Sequence, residues 1–259
     1  MHAALEARLK AQERNLGKSD ATTPSPVLAS NQEQGEGPSA SEHRSNESPS
    51  TTFGRSIRHW PIFPDSATAL ARLAKHFKLV VLSNVDNEAF GWTHKALSLG
   101  SAQEAEESPE LYFYPIPNPN KYWHPQEKAG SKSPFTAILT AQDVGCYKPS
   151  LKGFRTALDY FRSQPIYFGI TEVCDNSELS SEELKEKVLW VAQSLRHDIE
   201  PASQLGLDSV WIDRQSAVTC NEAGEGKPGW NKWTWRFETL GEMAEAVERE
   251  TGQCIQQDN

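Results

Sequence analysis

The clearest hydrophobic pattern in the chain is the run Lys78–Asp86, Lys-Leu-Val-Val-Leu-Ser-Asn-Val-Asp. Its unbroken apolar centre is rich in β-branched residues and stops at Ser83 and Asn84. This pattern predicts a strand that is buried on both faces, with polar residues at its carboxyl end. Open α/β sheets bind their ligands at that end of the strands. The alternative is an ordinary buried strand followed by a turn, because short apolar runs are ambiguous.

Further apolar runs alternate with helical patterns along the rest of the chain. The predicted strands are Phe135–Leu139, Val188–Leu195, Ser209–Arg214 and a short one around Trp233 and Trp235. The first predicted helix follows Asp65 or Ser66 as its N-cap and has Ala69, Leu70, Leu73 and Phe77 on one face. The other predicted helices are Asn87–Leu99, Ser150–Phe161 and Leu240–Glu250. Strands that alternate with helices predict an α/β fold with a parallel sheet and right-handed crossovers.

The amino-terminal part of the chain has a different pattern. Strong helix formers predict a short helix within residues 1–17. Residues 18–52 are rich in Ser, Pro, Gly and Gln and have few large apolar side chains, which predicts a disordered segment. We expect a folded core over 53–253, with surface insertions at 101–133 and 172–187.

Charge and composition narrow the class of protein. The 259-residue chain has a formal net charge of −9, which argues against a nucleic-acid partner, since phosphate binding needs a basic face. Its four cysteines show no Cys-x-x-Cys spacing, which indicates neither a zinc site nor a disulfide framework. The charged first residues exclude a signal peptide, and no run approaches the about 18 apolar residues of a membrane span. We expect a cytoplasmic protein without a membrane partner, and the oligomeric state stays open.

Polar side chains at the predicted strand ends are the candidate functional residues. Lys148 and Asp198 are the catalytic candidates, and Ser83 and Asn84 are the substrate-binding candidates. A hydroxyl, an ammonium and a carboxylate at one edge of a parallel sheet suit a small anionic substrate. Lys148 would neutralise its charge, while Asp198 would orient the lysine or hold a metal. His197 is interpreted as a structural hydrogen-bonding residue rather than a general base.

The order of these residues resembles the haloacid dehalogenase (HAD) superfamily, in particular the fungal members of its type II 2-haloacid dehalogenase-like branch. The similar segments are Trp60–Asp65, Leu82–Asp86, Ala141–Pro149, Ser194–Ala202 and Leu205–Arg214. The resemblance implies a Rossmann-like parallel sheet of the HAD type, a helical cap and hydrolysis through a covalent aspartyl intermediate. In such enzymes the residues similar to Ser83 and Lys148 contact the substrate or the nucleophile, and the one similar to Asp198 lies beside the lysine.

Two departures from the family pattern affect the expected chemistry. Gln193 and Leu195 stand where the dehalogenases have Ser and Asn, which argues against direct dehalogenation of 2-haloacids. The nucleophile motif, an apolar run followed by Asp-x-x-Gly-Thr, is not found, and Asp20, Asp65 and Asp86 are poor substitutes. The resemblance makes the missing strand the central one, between the strand of Ser83 and that of Asp198. Residues 1–17 are then expected to be the remnant of a truncated cap.

Three hypotheses about function follow from the sequence. The first is a truncated, impaired HAD-like hydrolase that acts on a C–halogen compound or a phosphate ester, which the resemblance suggests is accessory to a small-molecule (secondary metabolite) pathway. The second is a catalytically inactive HAD pseudoenzyme that binds a ligand or a partner. The third is an unrelated α/β module, because fold alone does not fix function. No cofactor is expected, except Mg²⁺ at Asp198 if the chemistry is that of a phosphatase.

Overall fold

A computed structural model describes residues 56–99, 109–170, 179–214 and 233–257. Its strands are β1 (Leu79–Ser83), β2 (Phe135–Thr140), β3 (Leu189–Ala192), β4 (Asp208–Ile212) and β5 (Trp235–Phe237). Its helices are α1 (Ser66–Leu73), α2 (Asn87–Leu99), α3 (Ala141–Val144), α4 (Leu151–Ser163), α5 (Ser181–Glu186), α6 (Glu200–Gln204) and α7 (Leu240–Gln257). Three short 3₁₀ turns cover Ile57–His59, Pro109–Tyr112 and Pro125–Glu127, and a π-helical turn covers Leu195–Ile199. The predicted helix in 1–17 and the predicted disorder of 18–52 lie outside the described residues.

Every described strand pairs in parallel with its neighbours, in two separate sheets. One sheet has the order β1-β2, and the other has the order β3-β4-β5. Helices connect the parallel strands, for example α2 between β1 and β2. The α/β class with parallel strands, predicted from the alternation of strands and helices, is confirmed.

The facing edges of the two sheets belong to β1 and β3. Leu79 and Leu189, which begin these strands, pack against one apolar cluster, and Leu82 and Trp190 both pack against a second cluster that contains Phe154. Within the described part of the chain, β1 pairs only with β2 and β3 only with β4, and no strand lies between the two sheets.

The prediction that β1 is buried on both faces is wrong for most of its length. Only Val81 and Ser83 of β1 are buried, whereas every residue of β2 is buried. The reason is position, because β1 is at a sheet edge. By contrast, β2 pairs with β1 on one side and forms a bridge to Trp123 on the other.

The segment 109–133 is irregular but it is not a surface excursion. Tyr112, Tyr122 and Trp123 are 2–3% exposed, and the backbone of Trp123 pairs with Ile138 of β2. The described part of the predicted insertion at 101–133 therefore covers one edge of β2 and contributes to the core.

Asp65 does not cap α1, contrary to the sequence-based prediction. Its side chain makes no capping hydrogen bond. Instead its two oxygens accept hydrogen bonds from the Arg214 guanidinium at 2.9 and 3.0 Å, and Oδ2 also accepts one from the Gly241 amide at 3.1 Å. The carboxylate thus joins the start of α1 to the segment after β4 and to α7. Across the described ranges, no helix is long and apolar enough to cross a bilayer.

Candidate functional site

The loop that carries Lys148 is fixed at its beginning by a short helix. Thr140 and Asp143 form a capping box at the start of α3, and Gly145 ends this helix with a positive φ of 68°. Asn87, the first residue of α2, accepts a hydrogen bond from the Thr140 hydroxyl at 2.7 Å and donates one to Asp143 at 3.0 Å. The segments that follow β1 and β2 are therefore joined to each other just before Lys148.

Asn84 fixes the backbone of Lys148. Its amide Nδ2 donates to the Lys148 carbonyl at 3.0 Å, and its Oδ1 accepts from the Lys148 amide at 2.7 Å. Both ends of this buried side chain bind the backbone of the same residue, which gives Asn84 a positioning role. Its predicted contact with a substrate stays a prediction.

The ammonium of Lys148 lies at the carboxyl ends of both β1 and β3. Nζ donates to the Leu82 carbonyl of β1 at 2.9 Å and to Oδ1 of Asp198 at 2.8 Å. Lys148 is 5% exposed and Asp198 is 1% exposed. The two residues form an ion pair that is almost entirely removed from water, where the charges interact strongly and each depends on the other.

Asp198 lies in the π-helical turn that follows β3, not at the end of the longer strand predicted from the sequence. The turn begins at Ser194, whose hydroxyl accepts from the His197 amide at 3.1 Å and whose carbonyl accepts from the Asp198 amide at 3.2 Å. The indole Nε1 of Trp190 on β3 donates to Oδ1 of Asp198 at 3.2 Å. Oδ1 thus accepts from both Lys148 and Trp190.

The structure brings the four predicted residues to one edge. Ser83 is the buried last residue of β1 and lies along the chain between Leu82, whose carbonyl contacts Lys148, and Asn84. Asp198 completes the group from the other sheet. Trp190 was not predicted, because a tryptophan in an apolar strand gives no sequence signal that separates a hydrogen-bonding role from core packing.

The carboxylates considered as substitute nucleophiles have other roles. Partial burial acts to raise the pKa of Asp65, but the hydrogen bonds from Arg214 and Gly241 together with the charge of Arg214 outweigh it and hold this pKa below its usual value. Asp86 is exposed, and its Oδ1 accepts from the Ala89 amide at 2.6 Å in the first turn of α2. Asp20 lies outside the described residues. Asp65 and Asp86 are therefore explained by structure alone.

A Mg²⁺ ion would need several oxygen ligands at this edge. The described residues contain no group of three or more His, Cys, Asp or Glu side chains that is suited to a metal ion. Asp198 also already accepts hydrogen bonds from two side chains. The described residues therefore do not by themselves form a magnesium site.

A comparison with solved structures finds similar chains. No family model matches the chain, and no curated protein matches it. The chain is similar to the crystal structure of a HAD phosphatase from Thermococcus onnurineus, with 17% sequence identity and a TM-score of 0.39. The match covers 78% of this chain and 65% of that phosphatase.

Proposed function

We propose that this chain carries the anion-binding site of a haloacid dehalogenase-like hydrolase. Its substrate would be a small anion, either a phosphate ester or a C–halogen compound. The observation that carries the proposal is the buried ammonium of Lys148, which Asp198 and the Leu82 carbonyl hold at the carboxyl ends of two strands. The motifs within residues 60–214 resemble the fungal type II branch, and this resemblance suggests that the hydrolase is accessory to a small-molecule pathway.

The geometry suits anion binding because the lysine is fixed before a substrate arrives. Asn84 holds its backbone, and Asp198 holds its ammonium. A positioned charge in a site with little water stabilises an anionic substrate, or an anionic transition state, without the cost of reorganising the side chain. Ser83 would add a hydroxyl donor from the end of β1.

A catalytically inactive protein that binds a ligand or a partner through the same edge is the second candidate. The observation that favours it is that Asp65 and Asp86 both have structural partners and offer no attacking carboxylate. Under this hypothesis Lys148 binds an anion that the chain does not turn over. The two candidates share the binding step and differ in catalysis.

Turnover separates the two candidates. The purified chain is incubated with p-nitrophenyl phosphate and Mg²⁺, and separately with 2-chloropropionate, while binding of inorganic phosphate is measured by calorimetry. Hydrolysis that Lys148→Met abolishes supports the hydrolase. Phosphate binding without hydrolysis, lost in Lys148→Met, supports the inactive binding protein. Equal phosphate binding by the wild type and Lys148→Met would contradict both.

A further inference from the structure

We propose that Trp190 is a positioning residue of this site, whose indole N–H fixes the carboxylate of Asp198 in the orientation that holds Lys148. The inference rests on the proposed anion-binding function. Lys148 and Trp190 donate to the same oxygen, since Oδ1 of Asp198 lies 2.8 Å from Nζ of Lys148 and 3.2 Å from Nε1 of Trp190.

The direction of the indole N–H is itself fixed by packing. Trp190 lies on β3, opposite Ser209 of β4, so the strand pairing sets its backbone. Its ring stacks on Phe154 of α4, with the ring centroids 4.3 Å apart and the planes at 27°. Phe154 is wholly buried and belongs to a cluster with Ala202 and Leu207. The ring therefore cannot turn without disturbing the contact between α4 and β3.

A second donor changes what Asp198 can do. The carboxylate of an aspartate rotates over a broad range about χ2, and a single contact with a flexible lysine leaves much of that freedom. A rigid indole N–H at the same oxygen restricts the rotation. It also favours the ionised carboxylate, because a hydrogen bond to the charged form stabilises that form. Lys148 then faces a fixed counter-charge, and its ammonium stays at the sheet edge.

A purely structural role predicts a different outcome. Buried indole N–H groups usually find some acceptor, so the contact alone would not give Trp190 a role in binding. If the bond only satisfies the indole, its loss lowers stability and leaves the pH dependence of anion binding unchanged. If the bond positions Asp198, its loss makes Asp198 easier to protonate and weakens binding first at acid pH.

The test replaces Trp190 by Phe, which keeps an aromatic ring for the stack on Phe154 but has no donor. Trp211→Phe is the matched control, because the Trp211 indole also lies on a strand and donates to a buried acceptor, the Gln193 carbonyl at 3.0 Å. The dissociation constant of inorganic phosphate is measured by calorimetry from pH 4 to pH 8. We expect binding to W190F to be about tenfold weaker at acid pH, as for the loss of a hydrogen bond to a charged group. The acid limb of its profile should move to higher pH, and W211F should follow the wild type.

A second measurement uses the unaltered protein, so it does not depend on the folding of a variant. The indole N–H signal of Trp190 in a ¹H–¹⁵N spectrum should shift along the acid limb of phosphate binding, and that of Trp211 should not. A Trp190 signal that does not titrate, or a W190F profile that follows the wild type, would overturn the positioning role. Failure of the proposed function is distinguished by Lys148→Met: phosphate binding that this variant leaves unchanged contradicts the site itself.

Discussion

The ion pair between Lys148 and Asp198 is the residue-scale feature on which both the site and its stability depend. Its side chains are 3% and 2% exposed. Removing one partner leaves a buried charge without compensation, so we expect Lys148→Met to lower the free energy of unfolding by about 3–5 kcal/mol. Urea unfolding at pH 7 measures the loss. Arg162→Ala is the control, because its pair with Asp159 is exposed and is worth less than about 1 kcal/mol. Equal losses in the two variants would contradict the account of the pair.

His94 makes stability depend on pH. Its Nδ1 donates to the Tyr112 carbonyl at 3.0 Å, and its Nε2 lies 2.7 Å from the Ser133 hydroxyl. Burial lowers the pKa of His94 from 6.5 to about 4, although the hydrogen bond to Tyr112 acts in the opposite direction. Between pH 6.5 and about pH 4, His94 therefore binds a proton in the unfolded chain but not in the folded protein.

Stability should consequently fall as the pH decreases from 6.5 to about 4, with His94 contributing up to about 3 kcal/mol of the loss. Above pH 6.5 its contribution should be constant. Urea unfolding of the wild type and of His94→Gln at a series of pH values separates the contribution of His94 to the pH dependence of stability from that of the carboxylates. The same slope in both proteins would show that His94 is not the group responsible.

At the scale of elements, replacing either of two glycines that flank Lys148 by alanine should change the stability of the protein, with opposite sign at the two positions. Gly145 ends α3 with φ 68°, and an added Cβ would meet no atom within 4 Å, so Gly145→Ala costs only backbone strain, about 1–2 kcal/mol. Gly153 lies inside α4, where a Cβ would make ordinary contacts at 3.5 and 3.7 Å. Gly153→Ala should therefore stabilise the protein by about 0.5–1 kcal/mol. Thermal unfolding of both variants checks the signs, and a change of the same sign in both would contradict this description of the loop.

The elements themselves were largely predictable where one pattern dominated. The predicted helix Asn87–Leu99 is confirmed with the same bounds, and the predicted strand Phe135–Leu139 is confirmed and extends to Thr140. The strand predicted at Val188–Leu195 ends at Ala192, because the backbone turns at Ser194 into a π-helical turn. That turn depends on local hydrogen bonds of Ser194, which hydrophobic periodicity does not report.

The sequence predicts which residues of the candidate site lie at strand ends, but not the contacts that these residues make. The meeting of Lys148 and Asp198 follows from two strand ends in one parallel fold, and the structure places them at hydrogen-bond distance. The roles of Asn84, Trp190 and Asp65 depend on partners that are 64, 8 and 149 residues away along the chain. Neither composition nor spacing identifies such partners, so these contacts needed the structure.

At the scale of the whole molecule, the division into two sheets predicts a gradient of protection. β2 has pairing on both sides and is wholly buried, whereas β3 pairs with β4 alone among the described strands. We expect the amides of β2 to exchange with solvent most slowly and those of β3 clearly faster, because protection follows burial and hydrogen bonding. Hydrogen exchange read by mass spectrometry measures both strands in one experiment. Equal protection of β3 and β2 would contradict the edge position of β3.

The central claim is that Lys148 holds a small anion at the common edge of the two sheets. Its most direct test is the dissociation constant of inorganic phosphate at pH 7, measured by calorimetry for the wild type, Lys148→Met and Lys152→Met. Lys152 is the matched control because it is an exposed lysine in the first turn of α4. The account predicts binding at least about tenfold weaker in Lys148→Met, as for the loss of a charge-assisted contact, and unchanged in Lys152→Met. The same dissociation constant in all three proteins would contradict it.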